Sequence, residues 1–314
     1  MQGEIVVVGG SSHPELSHAI CDGLGIEMAP SRILRFANDN MMVQIDQNVR
    51  EADVFVIQTS APPVSDGILE LLITIDALRH ASAARVTAVV PYFPYARSDK
   101  KDRPRISITA RLMADVLQTA GANRVLTMDL HAPQVQGFFR VPADNLLAST
   151  LLCDHLAATR DLSNSVLVAG DVGESKDVGR YARRLNLPIA IVDKRRDGDD
   201  DRAIATQLIG DVEGKDAILV DDEVATGGTL IEAARFCLER GARRVEAAVV
   251  HPVLSGDAVK RIGDSPIAAL VATDSVPIPP DKRADWIEVV SVAPLLSDAI
   301  RAIHTGRSVS ALFV

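Results

Sequence analysis

Short runs of β-branched and aliphatic residues alternate with stretches of helical periodicity along the whole chain. The runs at 5–8, 54–58, 86–90, 125–128, 166–169, 189–192, 218–220, 245–250 and 269–271 predict strands. Their apolar residues are consecutive rather than alternating, as strands covered on both faces require. Segments 15–23, 65–79, 108–119, 178–185, 229–239 and 294–303 predict helices between them. Strands and helices in alternation predict an α/β fold with parallel sheets.

The pattern also repeats at an offset of 120 residues. Aligning 107–131 with 227–251 pairs Thr109 with Thr229, Ala114 with Ala234, Gly121 with Gly241, Ala122 with Ala242, Arg124 with Arg244, Val125 with Val245 and His131 with His251. Glycine is a common helix stop, so helix–Gly–strand junctions look alike without common descent. Seven identities in 25 ungapped positions nevertheless favour a duplication, and hence two domains of one fold with a junction near 146–150. A length of 314 residues suits two such domains.

Composition narrows the function. With 47% apolar and 24% charged residues the chain is not disordered. It has no apolar run of membrane-spanning length. Its start has neither a basic segment nor a cleavage signal, so no secretion is expected. Cys21, Cys153 and Cys237 lie far apart and fit a reducing cytoplasm. The net charge of −9 disfavours nucleic acid and anionic membranes as partners. Phosphate substrates would then need local positive charge or metal ions. Basic residues do cluster: five of the nine residues from Arg97 to Arg105 are Lys or Arg, and Lys194-Arg195-Arg196 is a second run.

The stretch 217–230, AILVDDEVATGGTL, carries the most chemistry. A buried strand leads to Asp221 and Asp222, and Thr226-Gly227-Gly228-Thr229 then opens a helix. Glycines let backbone N–H groups approach a phosphate, and the helix N-terminus adds a favourable dipole. The paired carboxylates can accept from two sugar hydroxyls or from a metal bound to them. An ordinary turn capped by Thr is the plainer alternative for TGGT alone. The absence of a following Gly-Lys-Ser/Thr excludes a Walker A loop.

This stretch resembles the ribose-phosphate loop shared by type I phosphoribosyltransferases and the PRPP synthetase (ribose-phosphate diphosphokinase) family. PYFPYARSDKK at 91–101, DLHAPQVQGFF at 129–139, IVDKRR at 191–196, HPVLSG at 251–256 and SVSALF at 308–313 resemble the synthetases alone, over nearly the full length. The resemblance implies two tandem phosphoribosyltransferase-like α/β domains, 1–147 and 148–304, with a strand within 305–314 returning to the first. It places the active site between them. The implied reaction moves the diphosphoryl group of Mg-ATP to the 1-hydroxyl of ribose 5-phosphate, giving PRPP and AMP.

Site roles are carried over by the same resemblance. Lys194 and Arg196 are the catalytic cations. Phe36, Asn38, Asn40, Arg97, Ser98, Asp102 and His131 take ATP, and His131 and Asp171 serve Mg²⁺. Asp221, Asp222, Ala225, Thr226, Gly227, Gly228 and Thr229 take ribose 5-phosphate. Arg50, Arg105, Gln136, Asp144, Asn145, Ser308 and Ser310 match the phosphate/ADP regulatory site of the phosphate-activated class. The adenine segment of the family serves a neighbouring subunit, which implies a homo-oligomer, a hexamer built from dimers. Four positions depart from the family pattern: Asn40 replaces Glu, Ser98 replaces Gln, Glu174 replaces Gly and Ala225 replaces Asp. The segment 197–201 is also more acidic than the family loop. These departures leave open a weakly active regulatory homologue, or a diphosphokinase for a variant sugar phosphate.

Overall fold

The computed structural model describes residues 3–171, 175–196 and 203–313. The chain divides into two compact units. The first comprises Met1–Leu147, Ser275–Pro277 and Ser291–Val314, the second Ala148–Asp274 and Ile278–Val290.

The first unit begins with β1 (Ile5–Gly9), α1 (Pro14–Leu24), β2 (Ser31–Arg35) and β3 (Met41–Ile45). It continues through β4 (Asp53–Ile57), α2 (Val64–His80), β5 (Arg85–Val90), α3 (Thr109–Ala120), β6 (Arg124–Met128) and β7 (Ala143–Leu146). Strands β1-β4-β5-β6-β7 form one parallel sheet in that order. Every residue of β4 is buried, which explains its unbroken apolar run. Strands β2 and β3 stand apart as an antiparallel hairpin.

The second unit runs α4 (Ser149–Thr159), β8 (Ser165–Ala169), α5 (Ser175–Leu185), β9 (Ile189–Arg196) and β10 (Ala203–Ile209). It then adds β11 (Asp216–Val224), α6 (Gly228–Glu239), β12 (Arg244–Pro252), α7 (Ala258–Gly263), β13 (Ile267–Thr273) and β14 (Ile287–Val290). The sheet order is β10-β9-β8-β11-β12-β13-β14, parallel except for β10. The repeated segments occupy equivalent elements: α3 and α6, then β6 and β12. Both Gly121 and Gly241 stop their helices with positive φ, +120° and +88°.

Two expectations need correction. The helix α8 (Ala293–His304) belongs to the first unit, so the chain returns there well before residue 305. Its buried face includes Leu296, Ala299, Ile300 and Ile303, and its end is held by a buried carboxylate. His304 Nδ1 lies 2.8 Å from Asp53, which also accepts from Arg85 Nε at 2.7 Å. The expected strand at 309–313 is instead a 3-10 turn, Ser310–Phe313, closed locally by Leu312 N–H donating to the Val309 carbonyl at 3.0 Å. Among the described residues, no helix is long and apolar enough to cross a membrane.

Candidate functional site

In the second unit the chain leaves β8 for β9 on one side and returns to β11 on the other. The strand order reverses between β8 and β11. In open α/β sheets the carboxyl ends at such a reversal form a crevice for ligands. The β8–β11 ladder ends at Val220 opposite Ala169. Asp171 follows two residues beyond that end, and Asp221 and Asp222 follow directly. Three of the expected site carboxylates thus leave two neighbouring strands at one edge.

Strand β11 runs further than the apolar pattern predicts. It pairs with β12 as far as Val224 opposite Pro252. Asp221 and Asp222 therefore lie within the strand, and successive strand side chains alternate between faces. They approach the following turn from opposite sides of β11, and both are half-buried.

The turn Ala225–Gly227 joins β11 directly to α6. Gly227 is the N-cap, with φ +74°, and a Cβ there would lie 2.8 Å from Ile262 Cγ1. Only glycine fits such a site without strain. The N-cap Gly227 has no side chain with which to cap α6, and Thr226 and Thr229 are both exposed. An uncapped helix end leaves its first N–H groups for an outside acceptor. The N-cap position is taken by Gly227, not by a Thr as in the plainer alternative.

In the first unit, the loops after β5 and β6 carry Arg97, Ser98, Asp102 and His131. They are tied together. Gln134 Nε2 donates to Asp99 at 2.6 Å. Ser98 Oγ accepts from Thr109 N–H at 3.2 Å and its carbonyl from Ala110 N–H at 3.2 Å, fixing the basic loop to the start of α3. The Ser that departs from the family pattern therefore has a structural task here. Asn145 Oδ1 accepts from Leu130 N–H at 3.1 Å and so holds the residue beside His131.

Phe36, Asn38 and Asn40 form the tip of the β2–β3 hairpin. Phe36 N–H donates to the Asn40 carbonyl at 2.8 Å, and Asn40 N–H to Asn38 Oδ1 at 3.3 Å. The Phe36 ring is 50% exposed, which leaves a face for stacking. Arg35 braces the tip, reaching Asp39 and Asp66 at 2.5 Å each.

The residues matched to a regulatory site do not gather within the first unit. Arg50 precedes β4, at the amino edge of the sheet, where the His304–Asp53 contact also brings the tail bearing Ser308 and Ser310. Arg105 and Gln136 follow β5 and β6 at the carboxyl edge. Asp144 pairs with Arg124, and Asn145 holds Leu130, as described. Lys194 and Arg196 fall on β9, but their side chains, Glu174 and segment 197–201 lie outside the described residues. Among the described residues, no three His, Cys, Asp or Glu side chains gather into a metal cage.

The sequence reading missed Gln134 and Asp99, and it missed a buried polar cluster under the loop after β1. There Glu70 accepts from Ser11 N–H at 2.6 Å, and Gln58 Oε1 from Ser12 Oγ at 2.7 Å. These partners are 59 and 46 residues apart, so no local pattern could show them.

Comparison with known proteins places the chain in a family. Residues 5–121 match the N-terminal domain of ribose phosphate pyrophosphokinase, and residues 202–314 match the phosphoribosyl synthetase-associated domain. A ribose-phosphate pyrophosphokinase of Deinococcus radiodurans is 48% identical, covering 98% of each chain. One from Bacillus subtilis is 43% identical over 96% of this chain and 95% of its own. The crystal structure of phosphoribosylpyrophosphate synthetase from Mycobacterium smegmatis superposes with a TM-score of 0.91 at 38% identity, covering 96% of this chain and 99% of that one. Identity at this level along almost the whole of both chains makes the protein a member of the ribose-phosphate pyrophosphokinase family.

Proposed function

We propose that this chain transfers the diphosphoryl group of ATP to the 1-hydroxyl of ribose 5-phosphate, giving PRPP and AMP. The observation that carries this reading is the unit β11–turn–α6 at the strand-order reversal. Its uncapped helix end suits the 5-phosphate, and its two carboxylates suit the sugar hydroxyls. Asp accepts hydrogen bonds from hydroxyls, so Asp221 and Asp222 orient the ring, while Thr226 and Thr229 donate to phosphate oxygens. The 1-hydroxyl oxygen attacks the β-phosphorus, the bond from that phosphorus to the α-phosphate oxygen breaks, and the hydroxyl proton leaves to solvent or a base. Such transfer depends chiefly on positioning and charge neutralisation. Lys194 and Arg196, on β9 next to β8, supply positive charge for the transferring group.

Phe36 stacks on the adenine, Asn38 and Asn40 present amides to its edge, and Arg97 meets the phosphates. Magnesium neutralises phosphate charge and prefers few protein ligands with several waters. One imidazole and one carboxylate fit that preference, because they leave the remaining positions to water and phosphate oxygens. By the family resemblance, His131 and Asp171 are its candidate protein ligands.

Ala225 in place of Asp does not favour a different reaction. Its carbonyl accepts from Ser255 N–H at 2.8 Å, so the turn is held through backbone whatever the side chain. Response to phosphate or ADP through Arg50, Arg105, Gln136, Ser308 and Ser310 needs residues from two edges of the first sheet. A homo-oligomer would supply the missing edge from a second copy.

The test is AMP release by the purified chain with ATP, Mg²⁺ and ribose 5-phosphate. Release that requires all three is expected. Folded protein that releases none, or releases AMP equally without the sugar, contradicts the proposal.

A further inference from the structure

The segment HPVLSG at 251–256 and the helix α7 after it lie against the phosphate turn. Three successive carbonyls of the turn are bound there. Leu254 N–H donates to the Val224 carbonyl at 3.0 Å, Ser255 N–H to the Ala225 carbonyl at 2.8 Å, and Arg261 Nη1 to the Thr226 carbonyl at 3.1 Å. In a trans peptide the C=O and the next N–H point opposite ways. Each bound carbonyl therefore turns the N–H of residue 225, 226 or 227 away from α7. The segment acts as a clamp that sets the polarity of the turn.

Two cations support the clamp. Arg261 is a side-chain donor to the turn, and its Nη2 also lies 3.5 Å from where a Gly228 Cβ would stand. Lys282 Nζ donates to the Leu254 carbonyl at 2.6 Å. Leu254 itself has φ +44°, a strained value for a branched residue, which the surroundings must enforce. Strain held this way beside a ligand site points to a constraint on function rather than on folding. The remaining contact, Ile262 under Gly227, closes the turn from the same side.

We infer that Arg261 is a positioning residue for the phosphate of the sugar substrate, fixing the Thr226–Thr229 turn with its N–H groups presented to the anion. This deepens the reading above and rests on it. The guanidinium is exposed, so its removal leaves the core intact. A charge-assisted hydrogen bond of this kind corresponds to about a tenfold change in affinity.

The test compares the full chain with Arg261→Ala and Arg261→Lys by steady-state kinetics and by hydrogen exchange of residues 224–229. Arg261→Ala is expected to raise KM for ribose 5-phosphate about tenfold. KM for ATP should stay within about twofold and kcat within about threefold. Arg261→Lys, which keeps the charge and one donor, should recover part of the loss. Exchange in the turn should quicken in the Ala variant. An unchanged KM for the sugar, or a parallel rise in both KM values with a lowered melting temperature, overturns the inference. If the unsubstituted chain does not turn over ribose 5-phosphate, the functional reading fails by itself. The exchange comparison still decides the clamp: an unaltered rate in Arg261→Ala refutes it.

Discussion

At the scale of single residues, Gly227 carries the sharpest consequence. Its positive φ and the 2.8 Å approach of Ile262 leave no room for a Cβ. Gly227→Ala should therefore destabilise the chain by about 1–3 kcal/mol. It should also weaken ribose 5-phosphate more than ATP, because the displaced turn is the proposed cradle of the sugar phosphate. Calorimetric titration with each ligand checks this, and equal weakening of both would refute it. The cysteines are the opposite case. Burial pushes the thiols of Cys21 and Cys237 up to about 11 and that of Cys153 up to about 12. The thiolate is the reactive form. All three should resist a thiol reagent at neutral pH in the folded chain and react once it is unfolded. Rapid labelling of native protein would contradict their placement.

At the scale of elements, partly buried clusters of charged and polar groups hold α4 and α8 to their sheets. Asp53, at the start of β4, meets both Arg85 and His304 and is 3% exposed. Arg85 and His304 lose a shared acceptor but keep partial access to water, so Asp53→Ala should cost about 1–3 kcal/mol in urea unfolding. A loss under 1 kcal/mol would show that α8 does not depend on it. In the second unit, Glu288 on β14 is raised by partial burial but lowered further by hydrogen bonds from Arg160 and His155, and its net shift is downward. A depressed carboxyl stabilises the fold above its unfolded pKa. That contribution is lost as pH falls through the lower folded value. Glu288→Gln should thus be less stable near neutrality and should lose less than the parent on acidification. Parallel acid-unfolding curves would contradict this.

Which elements were legible follows from the same contacts. The central strands β4, β5, β8, β11 and β12 announce themselves, because burial on both faces demands unbroken apolar runs. The strands β7, β10 and β14, which the pattern missed, are all sheet edges, where one side needs no neighbour. The β2–β3 hairpin was missed too: its Ile33 and Leu34 are exposed, so no buried face imposes a period. The site divides along the same line. The turn at 226–229 is contiguous and readable. Arg261 is not, because its partner is a backbone carbonyl 35 residues away and any side chain can carry that acceptor.

At the scale of the whole molecule, the internal repeat does not duplicate the short turn before α6. Between β11 and α6 lie three residues, 225–227. Between the matching β5 and α3 lies the long basic loop 91–108. The first unit thus keeps the helix and strand of the repeat but has, in place of the short turn proposed for the sugar phosphate, a cationic loop proposed for ATP. Each chain should bind one ribose 5-phosphate. A calorimetric stoichiometry of two per chain would show that the first unit retains a sugar site. The net charge of −9 makes the point electrostatically, since anionic substrates must find their positive charge in such local clusters.

The most direct measurement is a crystal structure of the full chain with ribose 5-phosphate bound. The account predicts the 5-phosphate oxygens within hydrogen-bond distance of backbone N–H groups of residues 226–229, with the ring hydroxyls on Asp221 and Asp222. Sugar phosphate bound elsewhere, with that turn vacant, would contradict it.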